Sequence, residues 1–143
     1  MKKRRESRAE RTRRKRTRRE EKRKAKGSRN MAEKTTEAAA KLSALFDYPV
    51  PERWSISHLY QAVLNGEKHV GDVAFMTTLS GYVHWKLTGK KVLGVGDASG
   101  MFPIDIATKN YNKKMLAQFS SLVAEKKYGW NIESVLPEVL VAG

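Results

Sequence analysis

The sequence predicts an α/β body, mainly helical with short strands, behind a basic and disordered or loosely helical arm. Three observations predict it. The charge is confined to one end: residues 1–29 carry 17 of the 29 Lys and Arg but 4 of the 15 Asp and Glu, so +13 of the net +14 belongs to them. Later segments repeat apolar residues at helical spacing between cap and stop signals. The runs between those segments are short, apolar or β-branched, and punctuated by glycine, which suits strands and turns.

At 143 residues the chain is long enough for one domain with one core. The compositional break at Gly27-Ser28 divides it into an arm, 1–28, and a body, 29–143. The absence of cysteine excludes disulfides and thiolate zinc sites and suits a cytoplasmic protein. No apolar run approaches 18 residues, so neither a membrane span nor a membrane partner is expected. The basic start is no signal peptide, because no apolar stretch follows it.

In the arm the apolar residues are Met1, Ala9 and Ala25. Such a segment has nothing to bury and cannot offset its ordering entropy by packing. It reads either as a solvated tail or as a nucleic-acid-binding arm acting through phosphate neutralisation, with Arg13, Arg14, Lys15 and Arg16 its densest run. From Thr36 to Phe46, Ala38, Leu42, Leu45 and Phe46 form a helical stripe, Thr36 can cap it, and Pro49 and Pro51 end it. A second helix, Ser55 to Leu64, shows Ile56, Leu59, Tyr60 and Val63, with Ser55 as N-cap and Asn65-Gly66 as stop. Val73 to Thr78 reads as a short strand feeding a helix from Leu79 to Lys86 that closes at Thr88-Gly89. Val92 to Val95 reads as a second strand, followed by a turn at Gly94, Gly96 and Gly100. Asn112 to Lys127 is the clearest helix: Met115, Leu116, Phe119, Leu122 and Val123 share a face, Asn112 can cap it and Gly129 can stop it. A helical turn from Asn131 to Leu136, halted by Pro137, and a strand-like run from Val139 to Ala142 complete the chain.

Few of these residues carry a chemical signature by themselves. The glycines at 94, 96 and 100 miss the dinucleotide-binding spacing by one residue and favour a structural turn. His58, His69 and His84 do not pair at a metal-ligand spacing, and no metal site is expected. Asp97, Ser99 and Asp105 are the polar residues of the central stretch, and Asp97 suits a turn cap as well as a ligand contact. Trp54 beside Arg53 suits a sugar ring, whose C–H faces meet an aromatic and whose hydroxyls meet a cation; core packing is the competing role. Trp130 is expected to cover core.

The stretch from Gly81 to Asp105, GYVHWKLTGKKVLGVGDASGMFPID, resembles the N-terminal domain of FGGY-type carbohydrate kinases. The likeness is carried by Tyr82, Trp85, Leu87, Thr88, Gly89, Ala98, Ser99, Asp105, Tyr111, Leu116, Leu136 and Pro137 and extends over about Thr35 to Gly143. It implies part of an actin-like, RNase-H-like domain from an enzyme that moves the γ-phosphoryl of ATP, with Mg²⁺, onto a sugar or polyol hydroxyl. The resemblance leaves the oligomeric state open, a homodimer of the intact enzyme being one option. Arg29, Arg53, Trp54, Asp97 and Ser99 become the candidate substrate contacts. The catalytic base is expected beyond Gly143, so no catalytic residue is assigned and no cofactor is expected to bind this chain alone. The sequence departs from the family at Gly81, where an Asp is usual, and at Leu93-Gly94-Val95, where Thr-Asp-Tyr is usual.

Overall fold

The computed structural model describes residues 8–141; Ala142 and Gly143, and with them the end of the last expected strand, lie outside the described residues. The chain divides into two compact units, Met1–Lys34 and Thr35–Gly143. The first helix, α1 (Arg8–Phe46, 39 residues), runs through the boundary. Of the two arm conformations expected, the helical one is observed: the described residues before Lys34 are continuous helix, exposed from Glu10 onward. Arg, Lys, Glu and Ala are strong helix formers, and Gly27 costs only about 1 kcal/mol relative to Ala without breaking the ladder. The Arg16 Nε to Glu20 Oε1 pair, at 3.3 Å, adds i,i+4 support. The change at Gly27-Ser28 is therefore one of composition, not of backbone.

The same continuity corrects the expected start at Thr36. That residue lies inside α1, and its hydroxyl donates to Glu52 at 2.8 Å. Asp47, at φ 50°, turns the chain out of α1, and the Ser43 hydroxyl accepts from the Val50 N–H at 2.9 Å. Helix α2 (Ser55–Asn65) begins at the expected residue, but its N-cap is Trp54 in place of Ser55 and contributes no side-chain bond. Gly66 ends it in the left-handed region, φ 64°, as a stop glycine should.

The core of the second unit gathers Ala38, Leu42 and Phe46 of α1, Ile56, Tyr60 and Val63 of α2, and later Phe102 and Phe119. Edge-to-face rings knit it, Phe46 on Phe102 at 5.7 Å and Tyr60 on Phe119 at 6.1 Å. The Thr35 hydroxyl of α1 donates to the side-chain amide oxygen of the buried Gln61 on α2.

After a 3₁₀ turn at Lys68–Asp72, Val73 to Thr78 is extended but is not a strand. Among the described backbone bonds outside regular elements, this run has one long-range bond, Met76 N–H to Val135 C=O at 2.8 Å, and a single bond makes no ladder. Helix α3 (Leu79–Thr88) starts under the Thr78 hydroxyl, which accepts from the Gly81 N–H, and ends at Gly89, φ 75°. Strand β1 (Val92–Gly94) then gives way to a four-residue helix, α4 (Val95–Ala98), where a glycine turn was expected. Strands β2 (Ile104–Asp105) and β3 (Asn110–Tyr111) form a small antiparallel pair.

Helix α5 (Lys113–Val123) is capped by the Asn112 side chain, as its sequence predicts, and continues into a 3₁₀ turn at Ala124–Lys126. Its stop is Lys127, at φ 52°, not Gly129. Leu122, expected on the buried face, is 39% exposed, because it lies at the margin of the apolar arc. Trp130 covers core as expected, donating from Nε1 to the Val70 carbonyl at 2.7 Å and stacking on Tyr128. Helix α6 (Ile132–Val135) has an Asn131–Ser134 capping box. Strand β4 (Glu138–Leu140) closes back on β1 in parallel, with Val92 opposite Glu138 and Gly94 opposite Leu140. No helix among the described residues is long and apolar enough to cross a membrane.

Candidate functional site

The parallel β1–β4 pair sets the position of a groove of about 420 Å³ in the second unit. That volume lies in the range of roughly 300–1,000 Å³ usual for small-molecule sites. Helix α3 contributes Ser80 and His84 to its lining, and α4 contributes Asp97. The strands contribute Val92 and Leu93 from β1, and Leu140 with the following Val141 at the end of β4.

Each polar group is held by its own element. The Thr78 and Ser80 hydroxyls are 2.9 Å apart at the head of α3. Ser80 Oγ donates to Asp97 Oδ2 at 2.7 Å, which fixes one carboxylate oxygen and leaves acceptor capacity on the group. Asp97 lies just beyond the carboxyl end of β1, and ligands of parallel sheets gather at that end of the strands. A carboxylate beside a hydroxyl suits a ligand rich in hydroxyls: the carboxylate accepts and the hydroxyl both donates and accepts.

Gly81 decides how closely α3 approaches this site. A Cβ there would stand 2.6 Å from Leu93 Cδ2 and 2.2 Å from Thr77 Oγ1. The contact leaves no room for a side chain at this position, and it lets α3 carry Ser80 to Asp97.

The other predicted residues are dispersed. Ser99 turns its hydroxyl onto the Gly96 carbonyl at 2.6 Å and serves its own turn. Asp105 accepts from the Ala107 and Thr108 N–H groups at 2.8 and 3.1 Å and stabilises the loop between β2 and β3. Trp54 is half-buried, its ring 6.3 Å from Tyr48, and Arg53 is exposed. The head of α2 is tied to the segment after Ser99 by the Ser55 N–H to Gly100 C=O bond at 3.3 Å. Arg29, with Arg13, Arg14, Lys15 and Arg16, belongs to the first unit, on exposed turns of α1.

Ser80 was not singled out from sequence. Its partner is 17 residues away, and no local pattern marks such a pairing. A second missed feature was legible in part. Lys86 lies 4.6 Å and Lys91 4.8 Å from the centre of the Trp85 ring, and Lys91 also lies 4.7 Å from that of Phe75. The run HWKLTGKK places those lysines beside the aromatic.

Among the described residues, no group of three or more His, Asp or Glu side chains is placed to hold a metal ion. No family model, no curated protein and no solved structure matches the chain.

Proposed function

We propose that residues 35–143 are the sugar-binding portion of a cytoplasmic FGGY-type carbohydrate kinase, an enzyme that in intact form transfers phosphoryl from ATP to a sugar or polyol hydroxyl. One observation carries the proposal: Asp97, oriented by Ser80 at 2.7 Å, lines a groove at the carboxyl end of a parallel strand pair. The order of residues from Tyr82 to Asp105 supplies the family. In this reading Asp97 accepts a hydrogen bond from a substrate hydroxyl and Ser80 fixes the carboxylate's orientation. Arg53 and Trp54 are accessory contacts, while Ser99 shapes the turn.

A second reading has its own support. Arg13, Arg14, Lys15 and Arg16 lie on exposed helix, as a phosphate-neutralising arm requires. A single NMR titration of the full chain separates the two. Pentoses, hexoses, deoxysugars and polyols are expected to shift the resonances of Ser80, His84 and Asp97, and Asp97→Ala to weaken the response at least tenfold. An oligonucleotide would instead shift residues 13–16, with an affinity that falls steeply as salt rises. A panel that leaves the groove resonances unmoved removes the carbohydrate reading.

A further inference from the structure

The charges of α1 are sorted by face. An α-helix turns about 100° per residue, so side chains three or four apart share an arc. Between Glu10 and Arg29, the cations Arg13, Arg14 and Lys24 share one arc with the anions Glu10, Glu20 and Glu21, and the charge there cancels. The opposite arc, about 160° wide, carries nine basic residues and no acidic one. Arg11, Lys15, Arg18, Lys22, Lys26 and Arg29 run down it in single file, and three more arginines flank them. The Arg16–Glu20 ion pair, at 3.3 Å, marks an edge between the two arcs. The next acidic residue on the basic arc is Glu33, one turn past Arg29. The whole segment is exposed, so the basic arc is open to a partner.

The composition of this helix selects among anionic partners. Between Glu10 and Asn30 there is no aromatic residue, and Ala25 is the one apolar side chain. A lipid surface takes up a helix by an apolar face. A single strand of nucleic acid stacks its bases on aromatic rings. A protein partner is usually anchored by buried aromatic side chains. What α1 offers is charge in a fixed geometry. The file from Arg11 to Arg29 is about 27 Å long. Duplex DNA displays about one phosphate charge per 1.7 Å of axis, on two backbones. Its major groove, about 12 Å wide, admits an α-helix, and a basic arc this broad reaches the phosphates of both walls.

We infer that α1 docks on double-stranded DNA by this one face, seated in the major groove with the Arg13, Arg14 and Lys24 arc turned outward. The assignment rests on the second reading above and specifies its partner and its contact face. The densest run of basic residues is thereby divided: Lys15 lies on the contact face, Arg16 at its margin, and Arg13 and Arg14 behind it. Phosphates carry the binding, so it is tolerant of sequence.

The test uses the full chain and a labelled 20-base-pair DNA duplex of mixed sequence, followed by fluorescence anisotropy over a range of salt. Two triple variants remove equal charge: Arg11→Gln with Arg18→Gln and Lys22→Gln on the basic arc, and Arg13→Gln with Arg14→Gln and Lys24→Gln on the other. Gln preserves helix propensity. The first triple is expected to weaken binding at least fivefold more than the second and to flatten the slope of log affinity against log salt by about 2–3. The wild-type chain is expected to bind the DNA duplex at least threefold more tightly than either its separated strands or an RNA duplex of the same sequence, whose major groove is too narrow for a helix. These wild-type comparisons stand even if a variant loses helix by circular dichroism. A smaller difference between the triples overturns the contact face. Single strands or duplex RNA bound as tightly as duplex DNA overturn the groove placement. Either result leaves the nucleic-acid reading of the arm in place, whereas no binding to any of the three removes that reading itself.

Discussion

Helices α5 and α3 are nearly equal in length, 11 and 10 residues, and bury opposite kinds of residue. In α5 the large apolar side chains point inward, and Leu116, Phe119 and Val123 are buried. In α3 the buried residue is Gly81, while Leu79, Tyr82, Val83 and Leu87 are 45–81% exposed. Projected around α3, those four residues lie on the arc opposite Gly81. Helix α5 is held by the area its side chains remove from water. Helix α3 is held by the closeness of its backbone to Leu93, by the Thr78 cap and by the aromatic contact of Trp85 with Phe75 at 5.5 Å. Apolar periodicity thus locates the buried face of α5 and points away from that of α3. The difference matters for function, because the flank of α3 beside Gly81 carries Ser80 and His84 into the groove.

The largest expected effect tests the α5 side of the comparison. Phe119 is fully buried and packs edge-to-face on Tyr60. Phe119→Ala should lower unfolding free energy by about 3–5 kcal/mol, read from urea denaturation of the full chain. A loss below about 1 kcal/mol would mean that α5 is not a principal wall of the core.

What the sequence made legible follows the same division. The stripes of α2 and α5 and the Asn112 cap are local signals from residues three or four apart, and the structure keeps them. The β1–β4 pairing joins segments 46 residues apart, as does Val92 opposite Glu138, and no pattern within either strand specifies the other. Val73 to Thr78 has strand composition but lacks a neighbour to complete a ladder, which composition cannot reveal. Of the candidate site, Asp97 was visible as a polar residue in an ordered stretch. Its orientation by Ser80 was not, since that contact depends on the close approach that Gly81 allows. Long helices carry a similar ambiguity: the charge break at Gly27-Ser28 is plain in the sequence, but the backbone of α1 passes through it unchanged.

Gly81→Ala tests the α3 side with a smaller expected effect. The added methyl meets the packed Leu93 and the Thr77 hydroxyl, and both must shift. Overpacking of this kind is expected to cost about 1–3 kcal/mol, and Gly81→Asp more, because a carboxylate would lose its water in the same gap. The Ser80 and Asp97 resonances should move in Gly81→Ala even where the chain stays folded. Unchanged stability together with unchanged groove resonances would show that α3 is not seated by this contact.

The smallest effect is expected on the outward arc of α3. Leu79 and Leu87 are each 81% exposed, so the folded chain removes little of their surface from water. Replacing either by Ser deletes almost no buried area and leaves no buried group unsatisfied. Surface changes of this kind usually fall within about 0.5 kcal/mol. Leu116→Ser in α5 is the matched control, the same substitution at a residue 6% exposed, where lost transfer energy, a cavity and a buried hydroxyl act together. Urea denaturation of the three variants should therefore separate Leu116→Ser from the other two by several-fold. Solubility should move the opposite way. Leu79→Ser and Leu87→Ser remove apolar surface from an exposed face and should raise the concentration at which the chain stays monodisperse. A loss above about 1.5 kcal/mol from Leu79→Ser or Leu87→Ser would mean that those leucines are packed in the folded chain, and the contrast between α3 and α5 would fall with it.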